Sequence, residues 1–182
     1  MAFLEGSRSV AEGSEPVAVE ASETFEDFYV REYPAIVGLA YALSGSRSGA
    51  EDLAQEAFLA AHRGWDRVGG FDEPGVWVRR VVANLSVSTI RRRVVETKAL
   101  ARIALGQTPA LPELSAEGVE FWRAVRSLPK RQAQVIALRY LEDMPISEVA
   151  RVLGMAEGTV RKQLFEGRKK VVRLLRLEED DG

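Results

Sequence analysis

The chain has 182 residues, enough for one ordinary domain or two small ones and too few for a large multidomain enzyme. Hydrophobic residues at 46% and charged residues at 29% give the balance of a folded soluble protein, and with no cysteine and one histidine, His62, disulfides, thiolate metal sites, cysteine nucleophiles and histidine-held zinc are excluded. The net charge of -2 is unevenly spread: residues 1–27 carry -6 and Glu178 to Asp181 carry -4, which leaves +8 on residues 28–177. A basic body between acidic ends points to a polyanion partner, because clustered Lys and Arg release counterions from phosphates. No apolar run is long enough for a membrane span, and the first twenty residues do not resemble a signal peptide, so the expected location is cytoplasmic.

Residues 1–22 mix Gly, Ser, Glu and Ala without periodicity and read as a flexible acidic leader. From Thr24, apolar residues at Phe25, Phe28, Tyr29, Tyr33, Ile36, Val37, Leu39, Ala40 and Leu43 recur at helical spacing, with Pro34 placed to kink that helix or divide it. Gly45 and Gly49 mark a loop. A second helix is expected over Glu51–Arg63, with acids in its first turn. The glycine-rich stretch Gly64–Gly75 breaks it, and a third helix runs from Val76 to Arg93. Residues 94–116, weakly helical and then proline-bearing, read as a tether. Four further helices follow near 117–127, 130–141, 146–153 and 157–175. No strand-like alternation is present, so the expected fold is all-α: a module over residues 23–93, a linker, a second module over 117–177, and an acidic tail from 178 to 182.

The second module carries a helix-turn-helix pattern in Ile146 to Leu164. Val149, Ala150 and Leu153 pack one helix, Gly154 permits a turn with positive φ, and Val160, Leu164 and Val171 pack the next. The face opposite that seam holds Lys162, Phe165, Glu166 and Lys169, with Arg161 at its edge, and such side chains enter a major groove. The alternative is a solvated helix face. Position 156 is alanine, so the second helix lacks a side-chain N-cap, and its first N–H groups are left for a DNA phosphate.

Four motifs in one order now carry a resemblance: Ala50-Glu-Asp-Leu-Ala-Gln-Glu-Ala-Phe-Leu59 with Trp65 after it, Trp77-Val-Arg-Arg-Val-Val-Ala-Asn-Leu followed by Arg91-Arg92-Arg93, Leu128-Pro-Lys-Arg-Gln, and Leu153-Gly-Met-Ala-Glu-Gly-Thr-Val. Over roughly residues 25–176 the chain resembles the extracytoplasmic-function class of bacterial sigma factors. The resemblance implies a transcription initiation factor with no catalytic residue, cofactor or metal. Its first module would read the minus-ten promoter element and its second the minus-thirty-five element.

The implied partners are core RNA polymerase, through the β-prime coiled coil and the β flap, and promoter DNA, with an anti-sigma factor as a further candidate and no membrane partner. Core binding falls on Asp52, Gln55, Glu56, Phe58 and His62; the periodicity itself places Asp52, Gln55, Glu56 and Leu59 outside the apolar seam. Minus-ten DNA falls on Trp65, Phe71, Asp72, Trp77, Arg79, Arg80, Asn84, Arg91, Arg92 and Arg93, with Trp65 and Phe71 equally fit to be core residues. Minus-thirty-five DNA falls on Thr159, Arg161, Lys162, Phe165, Glu166 and Lys169. Ser88 and Glu166 depart from the family's usual residues. The rivals are a self-contained repressor, which would need a dimer to read two half-sites, and a decoy that occupies polymerase without starting transcription. An enzyme has the least support, since no phosphate loop or nucleophile–base pair is present.

Overall fold

The computed structural model describes residues 23–93 and 115–180, with side chains except at 87–93, 116 and 177–180. All regular structure among them is helical: α1 (Phe25–Ser44), α2 (Arg47–Arg63), α3 (Trp65–Val68), α4 (Pro74–Arg93), α5 (Ala116–Ser127), α6 (Lys130–Tyr140), α7 (Ile146–Leu153) and α8 (Glu157–Asp180).

The N-terminus of α1 is fixed by Thr24, whose hydroxyl accepts the Asp27 N–H, and Glu26 and Asp27 complement the dipole there. Pro34 neither ends nor divides α1. Proline frees the carbonyl four residues back, and Val30 and Pro34 are both exposed, so water can take that group's place. The helix stops at Gly45, whose left-handed φ of 74° suits a residue without a Cβ.

The loop expected between Gly45 and Gly49 is shorter than the glycines suggested. The Ser46 side chain accepts from the Gly49 N–H, so α2 begins at Arg47 and Gly49 lies buried inside its first turn. Its first turn therefore carries no acid, since Glu51 and Asp52 fall in the second. Gly64–Gly75 is likewise not all loop: it holds α3, and Pro74 opens α4 in the position where a missing N–H costs nothing.

Helices α1, α2 and α4 pack on one another around Phe28, Ile36, Leu39, Leu53, Phe58, Val78 and Val82. Helices α5 to α8 enclose Val125, Ile136, Leu138, Val149, Val152, Val160 and Val171. Gly154 (φ 62°) turns α7 into α8, as the helix-turn-helix pattern requires. Gly167 lets α8 press on α6, because a Cβ there would meet Ile136 Cδ1 at 2.8 Å. Helix α8 is longer than expected: its backbone continues through Glu178 to Asp180 as one 24-residue rod.

The two left-handed glycines separate conformational strain from crowding. Gly154→Ala should cost about 1 kcal/mol, since a Cβ there meets nothing within 4 Å and only the αL backbone objects. Gly45→Ala should cost more, because its Cβ would also fall 2.6 Å from Arg126 Nε. Urea unfolding of both variants against the parent checks that order.

Candidate nucleic-acid interface

One face of α2 is a polar row. Asp52, Gln55, Glu56 and Leu59 are exposed, while Leu53, Ala54, Ala57 and Phe58 are buried on the opposite side. Phe58 is thus corrected as a contact residue: at 2% exposure it lies edge-on to Phe28 and Tyr29 and supports the row from beneath. His62 is exposed, with its ring 4.8 Å from that of Phe25.

The loop before α4 divides its two candidate aromatics. Trp65, on α3, packs against Phe25 and Phe28 at centroid distances of 5.3 and 4.9 Å and against Gly69. It belongs to the core edge, not to an open platform. Phe71 is 40% exposed and shares with Asp72, Glu73, Trp77, Arg80 and Arg151 a cavity of about 450 Å³. Trp77 is half-buried against the core, Asp72 is exposed, and Asn84 is exposed two turns along α4.

Of the arginines assigned to phosphates, Arg79 is not free. Its guanidinium donates to Glu32 Oε2 at 2.6 Å on α1 and to Glu142 Oε2 at 2.8 Å in the turn after α6, and its side chain is only 13% exposed. Burial by itself would lower its pKa, but the charges of Glu142 and Glu32 outweigh that and hold it above the ordinary value. Burial likewise works to raise the Glu32 pKa, and the hydrogen bond and charge of Arg79, helped by Arg31, reverse it to a net lowering. Arg80 is exposed yet engaged: Nε donates to the Val152 carbonyl at 2.9 Å and Nη2 to that of Arg151, at the end of α7. Arg91, Arg92 and Arg93 close α4, and their side chains lie outside the described residues.

On α8, Thr159, Arg161, Lys162, Phe165 and Lys169 are exposed, and Phe165 stands out at 71%. The Ala156 carbonyl accepts the Thr159 and Val160 N–H groups. Arg161 pairs with Glu157 at 2.7 Å one turn back. Glu166 is turned toward the protein: it accepts from Gln132 Nε2 at 3.1 Å and lies 4.0 Å from Lys162, a lysine on the exposed face of α8. The local helix pattern could not show this, since Gln132 is 34 positions away.

Comparison with known proteins agrees with this arrangement of a three-helix unit and a helix-turn-helix unit. Residues 28–95 match the family model for sigma-70 region 2, and residues 118–171 match that for sigma-70 region 4. The chain is a member of the sigma-70 family, in its extracytoplasmic-function class. This sigma factor is 27% identical over 155 residues to the ECF RNA polymerase sigma factor SigW of Bacillus subtilis, covering 78% of this chain and 83% of that one. It is 29% identical over 157 residues to the ECF RNA polymerase sigma factor SigM of Mycobacterium tuberculosis, covering 83% and 76%. Its fold matches that of the sigma factor RpoE, solved with the anti-sigma factor NepR from Bartonella quintana, at a TM-score of 0.66 and 23% identity over 84% of this chain and 96% of that one. As a sigma factor it serves promoter recognition and transcription initiation with RNA polymerase. No helix among the described residues is long and apolar enough to cross a membrane.

Two measurements separate supporting from surface residues in this sigma factor. Phe58→Ala should cost about 3–5 kcal/mol, whereas Phe165→Ala should change stability by no more than about 0.5 kcal/mol; chemical denaturation reads both. The Glu32 carboxyl, lowered in the folded state, contributes stability that is present above its ordinary pKa of 4.5 and lost as pH falls through the folded value. Glu32→Gln should therefore flatten the acid limb of stability against pH, measured as the urea midpoint.

Proposed function

We propose that this factor docks on the coiled coil of the largest polymerase subunit through Asp52, Gln55, Glu56 and His62, with Phe58 holding the helix from below. The support is the row itself: three polar side chains with acceptor oxygens on one exposed helix face, over an aromatic base. The cavity beside Phe71, Asp72 and Trp77 takes a base of the opened minus-ten strand, with Asn84 and Arg80 along α4 and Arg91, Arg92 and Arg93 at its end holding sugar and phosphate. Thr159, Arg161, Lys162, Phe165 and Lys169 face the duplex minus-thirty-five element. The apolar groove formed by Phe121, Ile136, Tyr140, Val171 and Val172 suits the β flap or an anti-sigma protein, the latter by analogy with the RpoE complex. The site of action is the cytoplasm, where polymerase and promoters are.

The observation that carries this reading is the pairing of exposed features: an open cavity whose aromatic side chains, Phe71 and Trp77, come from the first unit, and a cationic helix face on the second. Reconstitution with core polymerase and a promoter library tests it. Changing Gln55 and Glu56 to lysine should weaken core association several-fold, because like charges meet at the interface. Arg161→Ala and Lys162→Ala should weaken closed-complex binding, by roughly 1–3 kcal/mol wherever the lost contact was to a base edge. Phe71→Ala and Asn84→Ala should spare the closed complex and reduce permanganate reactivity of melted thymines. Failure of both groups at the same step would refute the division between the units.

A further inference from the structure

Arg79 meets burial with two carboxylates, and Arg126, on α5, meets it with none. The Arg126 side chain is half-buried against Gly45 at the end of α1, where an added Cβ would fall 2.6 Å from Nε and 3.2 Å from Cζ. Among the described residues it makes no hydrogen bond and no ion pair. Burial is the chief influence on its pKa and lowers it, with Tyr41 opposing and the neighbouring Arg123 adding to the effect. Burial acts in the same direction on Arg79 and is there overturned by Glu142 and Glu32. What Arg126 lacks is an acceptor.

Arg126 lines a cavity of about 220 Å³ where α1, α4, α5 and α6 meet, together with Leu43, Ser86, Leu128, Lys130, Ala133 and Gln134. None of these residues is an acid. Leu43, Leu128 and Ala133 give the space buried apolar walls, and the two buried polar residues are engaged elsewhere. Ser86 Oγ and Gln134 Nε2 both donate to the Ala83 carbonyl, at 2.8 and 2.6 Å, and Gln134 Oε1 accepts from Arg131 at 3.2 Å. Neither side chain accepts from Arg126. The first turn of α6 borders the same space through Lys130 and Ala133, and it carries no acid and no side-chain cap, because its N-cap is Pro129. We infer that this cavity binds a small phosphate anion, with the Arg126 guanidinium as its principal ligand and Lys130 and the uncapped end of α6 adding positive potential.

The chemistry of the site selects that class. A guanidinium presents its N–H donors as a planar fork, which two oxygens of one phosphate group match and a halide does not. The volume equals that of roughly seven waters at about 30 Å³ each, enough for a phosphate or diphosphate group with anything attached to it lying outside. Apolar walls strengthen the attraction by keeping competing water few. The site shares no residue with the cavity at Phe71 or with the cationic face of α8, so it stands apart from the promoter contacts proposed above. Its walls come from both units, and a ligand held between them favours the arrangement in which they meet.

Titration calorimetry of the full chain with sodium diphosphate, against sodium chloride at equal ionic strength, tests the site. One saturable event is expected with diphosphate and none with chloride, and amide NMR shifts at saturation should gather at residues 43–45, 83–86 and 126–134. Arg126→Met keeps the stem and removes the unpaired charge, so it should weaken diphosphate binding at least tenfold while the urea midpoint does not fall below the parent's. If that variant folds poorly, Ala133→Asp, which sets a carboxylate in the wall as a built-in acceptor, should block diphosphate to the same extent. Binding as tight as the parent's in whichever of these variants folds would overturn the inference. So would shifts confined to Arg161, Lys162 and Lys169, because diphosphate would then be standing in for the DNA backbone on α8. A parallel titration with ADP distinguishes the sources of the phosphate: tighter binding than diphosphate assigns it to a nucleotide whose sugar and base lie outside the cavity, and weaker binding assigns it to the free anion.

Discussion

A guanidinium that has left water must find carboxylates, and Arg79 finds two. Glu32 comes from α1 and Glu142 from the turn after α6, so one side chain on α4 fixes the packing of the first unit and the approach of the second. An isolated buried charge would be too costly to hold, and here the pairing outweighs the desolvation of Arg79 and of Glu32, as the raised arginine and lowered Glu32 pKa values indicate. Everything else at the junction follows the position this bridge sets. With α4 held against the second unit, Arg80 falls over the end of α7 and Ala83 over Gln134.

That constraint pairs the two arginines of α4 whose side chains are described. Arg79 meets carboxylates of α1 and of the turn after α6, and Arg80 meets backbone carbonyls at the end of α7. Each unit keeps its own buried set of apolar side chains.

What the sequence revealed was whatever has a short period. Apolar spacing found the helices of both units, glycine chemistry found the Gly154 turn, and the exposed row of Asp52, Gln55, Glu56 and Leu59 emerged from α2 as the wheel required. Local signals misjudged Gly49, because a serine cap recruits it into the helix, and of the two alternatives at Pro34, kink or division, division does not occur. Trp65 and Phe71 were open for a plainer reason: an aromatic ring suits a core and a base equally well, and only neighbours from another helix decide. The bridge through Glu32 and Glu142, and the tie between Gln132 and Glu166, join residues 34 to 63 positions apart, which no local pattern encodes. Gln134 alone gave a hint, as a polar residue inside the apolar run from Ala133 to Leu138.

Helix α8 is one uninterrupted rod of 24 residues, roughly 36 Å from end to end at 1.5 Å per residue. Its cationic segment around Arg161 and Lys162 and the acids at Glu178 to Asp180 are consequently stations on a single rigid strut, with Arg161 and Asp180 separated by about 28 Å of axial rise. Those acids cannot bend back to neutralise Arg161 or Lys162 while the rod is intact. The helix backbone alone thus keeps the two ends of this charge pattern apart.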